Sequence, residues 1–281
     1  SEIDGREPID LNPLEYYQVG DAMLSLNLEG RSMEQITDFF NASGQIPPGT
    51  PGVCLLNELA NEIEDFVETI EDLKENEELD ALQVDLPIGP YRLQGSLRGI
   101  YPKEGLVRFG YQRFNDNRLL LLWIEHLVLC SIAPSGYPKS STIVCRRPKD
   151  EGMHLEKLIE VSTPNVILEE LLELYEIGRK EPLLLFPRSS STYAQHLDQG
   201  DDDSDETAVE ALQKARAVWE QSSGYLEPEC EERVFSLLFR EADPLDPKSP
   251  GNFGLQGEEN RFETLFQKIF SPLQDHLETS E

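Results

Sequence analysis

Positive charge is scarce in this 281-residue chain, which carries 24 Lys and Arg residues against 54 Asp and Glu residues. The net charge is therefore −30 at pH 7. Sequence-independent DNA binding depends on basic side chains that neutralise phosphates, so a uniform charge of this sign would repel a duplex and an anionic membrane alike. The composition excludes a general nucleic-acid coat, and any contact with DNA has to be local.

Long apolar runs and paired cysteines are also missing. No segment reaches the roughly 18 apolar residues of a membrane-spanning helix, so we expect no membrane partner. The four cysteines are far apart, have apolar neighbours and include no CxxC pair: Cys54, Cys130, Cys145 and Cys230. This pattern favours reduced, buried thiols over a metal site, and reduced thiols are typical of a cytoplasmic protein.

The motifs of several enzyme classes do not occur. The chain has no GxxxxGK[ST] phosphate loop, no GxGxxG, no HExxH and no GxSxG, so we expect no ATP hydrolysis by this chain. The two D-x-K spacings of a metal-dependent nuclease, Asp72-Leu-Lys74 and Asp246-Pro-Lys248, lie outside the predicted strands. The four histidines lie on separate predicted elements, which gives no local metal or triad spacing: His126, His154, His196 and His276.

Helix signals dominate the first third of the chain. Asn12-Pro13 predicts a helix start, Ser32 and Gln35 form a capping box, and Gly44 is placed to end the second helix. A third, long helix follows, with one apolar stripe between residues 55 and 73. Its other side is acidic, since eleven Asp or Glu and a single Lys occur between residues 58 and 80. We interpret that acidic side as a solvated face.

Strand signals begin at residue 82. Residues 82–88, 91–101 and 105–114 predict antiparallel hairpins because turn residues separate them. A helix over 117–132, a strand over 141–146, a helix from Thr163-Pro164 to about residue 178 and a short strand over 183–186 follow. Residues 198–206 predict a flexible acidic loop, and the last helices are expected over 207–221, 229–241 and 258–276. This order indicates an α/β fold around a small mixed sheet.

One region reverses the overall charge. Between residues 91 and 149 there are ten basic side chains against three acidic ones, a local balance of +7 that leaves −37 for the rest of the chain. Aromatic residues are interleaved with them, so the region would suit contacts to phosphates and stacking on bases. Pairing with the protein's own acidic helices is the alternative, and the sequence does not choose between the two.

Six short segments occur in a fixed order along nearly the whole chain: Gln45-Ile-Pro-Pro-Gly-Thr-Pro-Gly52, Tyr91-Arg-Leu-Gln-Gly95, Leu106-Val-Arg-Phe109, Leu122-Trp-Ile-Glu-His-Leu127, Glu181-Pro-Leu-Leu-Leu-Phe-Pro187 and Leu212-Gln-Lys-Ala-Arg216. The series resembles the C-terminal region of the RecC family, the gamma chains of exodeoxyribonuclease V. The resemblance implies a subunit of the RecBCD helicase–nuclease, which processes double-strand DNA ends for recombinational repair in the bacterial cytoplasm.

The resemblance also implies a fold. The implied fold is an α/β core that is similar to restriction endonucleases and other PD-(D/E)xK nucleases, with a small mixed sheet flanked by helices. The resemblance implies that this core is catalytically inactive. The expectation is a single domain over residues 1–281. Residues 1–80 form its helical N-terminal part, 81–190 the mixed-sheet core, and 191–281 a helical C-terminal part with the acidic loop 198–206.

The positions that carry metal ligands in active nucleases of this kind are degenerate here. Under the resemblance, Gly95-Ser-Leu-Arg98 has Arg in place of a carboxylate, and Val107-Arg-Phe-Gly110 has Arg for Asp and Gly for Lys. Three further motif positions are also replaced: Leu122, His126 and Leu56. Because guanidinium groups at carboxylate positions repel Mg²⁺, we expect no metal site and no nuclease activity in this domain.

The resulting hypothesis is a non-catalytic domain that scaffolds RecB-like and RecD-like subunits and guides a double-stranded DNA end or fork. Mg²⁺ and ATP would belong to the partner subunits, and no small-molecule substrate is expected. Six basic residues are candidates for DNA or partner contact: Arg92, Arg98, Lys103, Arg108, Arg113 and Arg118. Lys103 lies in a short turn, residues 101–105, whose tip would suit a wedge at a fork.

Two alternatives stay open at this point. One is an active Mg²⁺-dependent DNA nuclease that uses other carboxylates, such as Asp85, Glu104 and Asp116. The other is an acidic protein-interaction module that makes no contact with DNA. Cleavage that EDTA abolishes would favour the first, and the direction in which the acidic face points would identify the second.

Overall fold

The computed structural model describes residues 11–147, 152–180, 182–198, 205–222, 227–239, 244–245 and 262–278. The chain divides into two compact units. Unit 1 comprises Ser1–Asp80, Gly99–Phe114 and Ser141–Glu156, and unit 2 comprises Ala81–Arg98, Asn115–Ser140 and Lys157–Glu281. The expectation of one domain with three parts stays a prediction.

The elements alternate between helices and short strands. In chain order they are α1 (Pro13–Leu28), α2 (Met33–Ser43), α3 (Thr50–Leu73), β1 (Leu82–Ile88), β2 (Tyr91–Leu97), β3 (Ile100–Tyr101), β4 (Gly105–Arg113), α4 (Asp116–Ile132), β5 (Ser141–Arg146), β6 (Met153–Leu158), α5 (Pro164–Gly178), α6 (Pro187–Asp198), α7 (Asp205–Glu220), a 3₁₀ turn (Glu229–Glu231), α8 (Arg233–Phe239) and α9 (Phe262–Gln274). The predicted mixed α/β class is confirmed.

Capping fixes the helices of unit 1 where the sequence predicted them. The Asn12 side chain accepts hydrogen bonds from the backbone of Leu14 and Glu15, and the Glu15 carboxylate accepts one from Asn12 N at 3.0 Å. Ser32 and Gln35 form the same reciprocal arrangement at the start of α2. These bonds satisfy amide groups that the first turn of a helix leaves without partners. Helix α2 ends at Gly44, whose φ of 73° is left-handed.

The apolar stripe of α3 forms the core of unit 1, together with side chains from α1, α2, β4 and β5. Leu59, Ile63 and Phe66 on this stripe have no solvent exposure. Helix α1 approaches β4 so closely that a Cβ at Gly20 would clash with the Tyr111 ring. Glycine at this position therefore allows the helix to pack directly on the strand.

Unit 1 contains a four-stranded sheet in the order β3-β4-β5-β6. Strands β3 and β4 form an antiparallel hairpin, as predicted, whereas β4 and β5 run parallel with Leu106 opposite Ser141. Strand β6 was not predicted from the sequence. Its segment Met-His-Leu-Glu-Lys-Leu has no clear alternation, and the observed burial of its residues does not alternate either.

Unit 2 contains a separate two-stranded sheet, in which β1 and β2 pair from Leu82 opposite Leu97 to Ile88 opposite Tyr91. The predicted hairpin is confirmed, but the single strand expected over residues 91–101 is wrong. It breaks at Arg98 and Gly99, because Gly99 has a φ of 75°, which an extended strand does not allow. Strands β2 and β3 consequently belong to different sheets.

Aromatic side chains dominate the core of unit 2. Phe186 lies at its centre and contacts the rings of Trp219, Phe235 and Phe239. The short strand predicted over residues 183–186 is wrong, since these residues are irregular. Pro182 and Pro187 bracket the segment, and proline cannot donate the hydrogen bond that a strand ladder needs.

The helices after residue 186 differ from the prediction in number and extent. Helix α6 was missed, α7 and α9 lie within about four residues of their predicted bounds, and the predicted helix 229–241 divides into the 3₁₀ turn and α8. Residues 199–204 of the predicted acidic loop lie outside the described residues. Among the helices that the structure describes, none is long and apolar enough to cross a membrane.

No disulfide bond joins any of the four cysteines. Cys130 and Cys145 are buried, as predicted, and Cys230 is partly buried. The prediction of burial is wrong for Cys54, which is exposed on α3. Its position lies outside the stripe that packs into the core, so apolar neighbours in the sequence are not neighbours on the helix face.

Helix α6 receives its N-terminal cap from a distant residue. The Glu229 carboxylate accepts hydrogen bonds from Arg188 N at 3.0 Å, Ser189 N at 2.8 Å and the Ser189 hydroxyl at 2.5 Å. Glu229 is only 1% exposed, and burial raises the pKa of its carboxyl group. The 3₁₀ turn is thereby joined to the start of α6.

We expect Glu229→Ala to lower the free energy of unfolding by about 2 kcal/mol, because two helix amides would lose a buried charged acceptor. Urea unfolding of the 281-residue chain, followed by circular dichroism, measures this change. The matched control is Glu231→Ala in the same 3₁₀ turn, where an exposed side chain is removed and a change within about 0.5 kcal/mol is expected. Equal losses in the two variants would contradict the capping role.

Candidate nucleic-acid interface

The six basic residues predicted to contact DNA or a partner are divided between the two units. Unit 1 carries Lys103 in the turn between β3 and β4, and Arg108 and Arg113 on β4. Unit 2 carries Arg92 on β2, Arg98 in the link after β2, and Arg118 in the first turn of α4.

Arg92 is paired with an acidic residue of its own hairpin. Its Nε and Nη2 donate to the two carboxylate oxygens of Asp85 at 2.6 and 2.5 Å. This bidentate pair, with both side chains exposed, lowers the pKa of Asp85 through the hydrogen bonds and charge of Arg92. Arg92 therefore pairs with an acidic residue of the protein itself. This agrees with the alternative interpretation of the basic region, in which its side chains pair with the protein's own acidic residues.

Lys103 lies at the tip of the β3–β4 turn, and its side chain is 64% exposed. Its ammonium group lies 3.6 Å from a carboxylate oxygen of Glu75 and 3.9 Å from one of Glu104. The pair with Glu75, in which both side chains are exposed, contributes little to stability. Competition from the two carboxylates would nevertheless reduce the attraction between this tip and a phosphate.

Arg108 and Gly110, two of the degenerate nuclease positions, lie two residues apart on β4. The half-buried Arg108 donates from Nη1 to the Val107 carbonyl at 3.2 Å, and a Cβ at Gly99 would lie 2.9 Å from that nitrogen. Gly99 extends the hydrogen bonding between β3 and β4 by one residue, because Val107 N donates to the Gly99 carbonyl at 2.8 Å. A guanidinium group therefore lies beside the strand at the position where the resemblance expects a carboxylate in an active nuclease.

The aromatic residues interleaved with the basic ones are not uniformly available for stacking. Tyr111 is fully buried in the core of unit 1. Phe109 is 38% exposed, but the Lys74 ammonium lies 4.1 Å from its ring centroid in a cation–π contact. Phe114 packs on the His154 ring, with 4.1 Å between the centroids. Base stacking on Tyr111 is therefore excluded in this conformation.

A buried ion pair that the sequence did not reveal lies behind β4. Arg146 on β5 donates from Nε to Glu62 Oε1 on α3 at 2.7 Å, and their side chains are only 10% and 16% exposed. The Tyr111 hydroxyl donates to Glu62 Oε2 at 2.6 Å, and the Tyr16 hydroxyl lies 3.3 Å from the same oxygen. The Arg146 guanidinium packs over both tyrosine rings.

Burial is the main cause of the raised pKa of Tyr111 and Tyr16, and the Glu62 charge adds to it. Both phenols consequently remain donors to the carboxylate at neutral pH. The interpretation of every acidic residue on α3 as part of a solvated face is thus wrong for Glu62. Its place between Leu59, Ile63 and Phe66 on the apolar stripe was the signal that could have distinguished it.

Three of the degenerate positions lie in the protein interior. Leu56 on α3 and Leu122 on α4 are each 1% exposed. His126 on α4 is fully buried; its Nε2 lies 2.8 Å from the Ile159 carbonyl oxygen, and the ring stacks on Trp123. Because the carbonyl can only accept, Nε2 must carry the proton and donate it.

Burial lowers the pKa of His126 from 6.5 to about 4, since desolvation disfavours the imidazolium. The ring is therefore neutral at physiological pH. It packs as a core side chain of unit 2.

The carboxylates of the nuclease alternative have other contacts. Asp85 pairs with Arg92, Glu104 lies near Lys103, and Asp116 is hydrogen-bonded to Ser191. Burial raises the pKa of Asp116. Within the described residues, no group of three or more His, Cys, Asp or Glu side chains is arranged to hold a metal ion.

Comparison with known proteins adds to this geometry. A family model described as the RecC C-terminal domain matches residues 1–198. The chain belongs to the RecC C-terminal domain family. The resemblance inferred from the six segments is thus confirmed.

Several RecC subunits are similar to the chain. The RecBCD enzyme subunit RecC of Escherichia coli is 27% identical over 228 residues, which cover 79% of this chain and 19% of that subunit. The subunit of the same name from Mycolicibacterium smegmatis is 30% identical over 206 residues, covering 69% of this chain and 18% of that protein. The chain spans about a fifth of the length of the curated relatives it matches.

We expect Arg146→Met to lower the free energy of unfolding by about 3 kcal/mol, because it leaves the Glu62 carboxylate buried without its ion-pair partner. The double variant Glu62→Leu, Arg146→Met should lose less than the sum of the two single variants. Urea unfolding of the four proteins measures the coupling. Additive losses would contradict the ion pair as the constraint between α3 and β5.

We expect the stability of unit 2 to fall as pH decreases from about 6.5 to 4, because the unfolded chain protonates His126 before the folded chain does. The lowered pKa of His126 contributes up to about 3 kcal/mol to the free energy of unfolding at neutral pH. His126→Gln keeps a donor for Ile159 but cannot titrate. The difference in free energy of unfolding between this variant and the unmodified chain, measured by urea unfolding, should therefore shrink as pH falls. Parallel pH profiles for the two proteins would contradict the role of His126 in the pH dependence.

Proposed function

We propose that this chain is a non-catalytic domain of a RecBCD-type ATP-dependent helicase–nuclease that acts in double-strand break repair by homologous recombination in the bacterial cytoplasm. It scaffolds RecB-like and RecD-like subunits and guides a DNA end or fork at the point of strand separation. Mg²⁺ and ATP belong to those partners. The observation that carries the proposal is the match of residues 1–198 to the RecC C-terminal domain.

A nuclease-like origin of the fold is part of this proposal. Strand β4 lies inside a mixed four-stranded sheet, antiparallel to β3 on one side and parallel to β5 on the other. Helix α4 connects the two parallel strands. The residues aligned with nuclease metal positions, Arg108 and Gly110, lie on β4, where a restriction-endonuclease-like core would place them.

Loss of catalysis follows from the side chains at these positions. Arg108 brings a permanent positive charge to β4, and Gly110 brings no functional group. A Mg²⁺ site needs oxygen ligands, and a guanidinium repels the ion, so these residues do not fit the metal. The domain would therefore bind and position DNA rather than cut it.

Docking of partner subunits is the role proposed for the acidic helices. With a net charge of −37 outside residues 91–149, the chain would attract basic surfaces and reject other acidic ones. Charge complementarity of this kind accelerates encounter and suppresses wrong pairings. An acidic module without any DNA contact would share this property but not the dependence on basic residues tested below.

We expect Lys103→Glu combined with Arg108→Glu to weaken forked-duplex binding by the complex reconstituted with RecB-like and RecD-like subunits about tenfold. Each reversal replaces attraction to a phosphate by repulsion. Fluorescence anisotropy with a labelled fork measures the affinity. Arg179→Glu combined with Lys180→Glu is the control, because it makes the same charge change at exposed positions after α5.

Two results would contradict the proposal. The first is failure of the unmodified chain to co-elute with the partner subunits at low salt. The second is cleavage of linear duplex by the isolated chain that requires Mg²⁺ and stops with EDTA, which would favour the active nuclease. Equal fork affinities for both double variants would reject the DNA contact while leaving the scaffold role intact.

A further inference from the structure

The β1–β2 hairpin of unit 2 has two outer edges. Within the residues that the structure describes, its sheet contains these two strands only. Ile88 and Tyr91 flank a two-residue turn, so they exchange main-chain hydrogen bonds, and every second pair along the hairpin does the same. The pair of Pro87 and Arg92 lies between such pairs, as the missing N–H of proline requires. The main-chain groups of alternate residues therefore point outward, away from the partner strand.

The two edges differ in their capacity to accept another strand. On β1, Pro87 lies in the outward row and interrupts it, because proline has no N–H to donate. On β2 the outward row consists of three exposed residues that each have an N–H: Arg92, Gln94 and Ser96. Apart from β1, no main chain in the described part of unit 2 hydrogen-bonds to β2. An edge of this kind is a template for a further strand.

The apolar face of the hairpin leaves room beside the β2 edge. Successive side chains of a strand alternate between faces, so Leu93, Gly95 and Leu97 share one face. Their partners on β1 are apolar, and β1 lies against α4 and α5. Gly95 is nevertheless exposed, and a Cβ at this position would meet nothing within 4 Å. The space would accept an apolar side chain from a strand added beside β2.

The opposite face of the hairpin carries a positive group at the same edge. Arg92 uses Nε and Nη2 for the two carboxylate oxygens of Asp85. Its side chain is 65% exposed, and its Nη1 can donate to a further carboxylate beside it. Residues of opposite charge stabilise a sheet when they face each other on neighbouring strands. An acidic residue opposite Arg92 on an added strand would match this position.

We propose that β2 binds an extended segment of another polypeptide as the third strand of this sheet. The outward groups of β2 bind its main chain, an apolar side chain fills the space at Gly95, and an acidic side chain faces Arg92. A second copy of this chain does not fit, because two chains of net charge −30 repel each other and β2 has no acidic residue. The inference rests on the proposed scaffold role and names the kind of segment by which a partner subunit docks.

A synthetic peptide tests this edge on the 281-residue chain. The sequence Val-Thr-Val-Thr-Val-Glu-Val, aligned antiparallel to residues 91–97, places valine beside Gly95 and glutamate opposite Arg92. Fluorescence anisotropy of the labelled peptide measures its affinity. We expect saturable binding that Gln94→Pro weakens about tenfold, because it removes the central outward N–H of the edge. Gln83→Pro is the matched control, since it makes the same replacement on the edge that Pro87 already interrupts, and it should leave the affinity unchanged.

A second peptide, with lysine in place of glutamate, is the charge control and should bind the unmodified chain more weakly. Circular dichroism checks that both proline variants are folded. Three results would overturn the inference: no binding of the glutamate peptide by the unmodified chain, equal affinities of the two proline variants for it, or equal affinities of the two peptides.

Hydrogen exchange tests the docking role without a substitution. In the complex with RecB-like and RecD-like subunits, the amides of Arg92, Gln94 and Ser96 should exchange more slowly than in the free chain, whereas those of Gln83 and Asp85 should not change. Unchanged exchange along β2, or equal slowing on both edges, would overturn the inference. Failure of the complex to form would instead contradict the proposed function, and the peptide would still test the edge.

Discussion

The Glu62 carboxylate is the constraint on which the packing of unit 1 depends. It lies on α3 and accepts hydrogen bonds from Arg146 on β5 and Tyr111 on β4. An apolar stripe alone would permit α3 to slide along the sheet, since apolar contacts are not directional. A buried carboxylate is tolerated only with its partners in place, so the ion pair fixes the position of the helix against two neighbouring strands. The exposed ends of these strands are thereby held in a defined geometry.

The basic residues of the strand region fall into classes that charge counting could not separate. Arg146 neutralises a buried acid and Arg92 an exposed one, so both serve the fold. Arg113 and Arg147 donate hydrogen bonds to main-chain carbonyl groups. A net charge of −30 and a local basic region are compatible because the excess of acidic residues lies outside residues 91–149.

Local chemistry made much of the fold predictable. The caps at Asn12 and Ser32 depend on neighbouring residues, and the pattern of α3 repeats within one helix, so these elements were identified correctly. The break at Gly99 was not, because glycine also occurs inside strands and only its φ reveals the turn. Partners distant in sequence, such as Arg146 for Glu62, are set by topology and leave no local signal. The candidate site was predictable as a basic region, but the sequence did not identify Arg92 and Arg146 as the arginines that pair with Asp85 and Glu62.

The distant cap of α6 has a consequence for the order of events during synthesis. The acceptor for the first amides of α6 is Glu229, which lies 40 residues beyond Ser189. Until the ribosome has released that stretch, the start of the helix has only water as its partner. Helix α6 can therefore complete its structure only after the 3₁₀ turn has emerged, which makes the maturation of unit 2 a late step that depends on the arrival of its C-terminal segment.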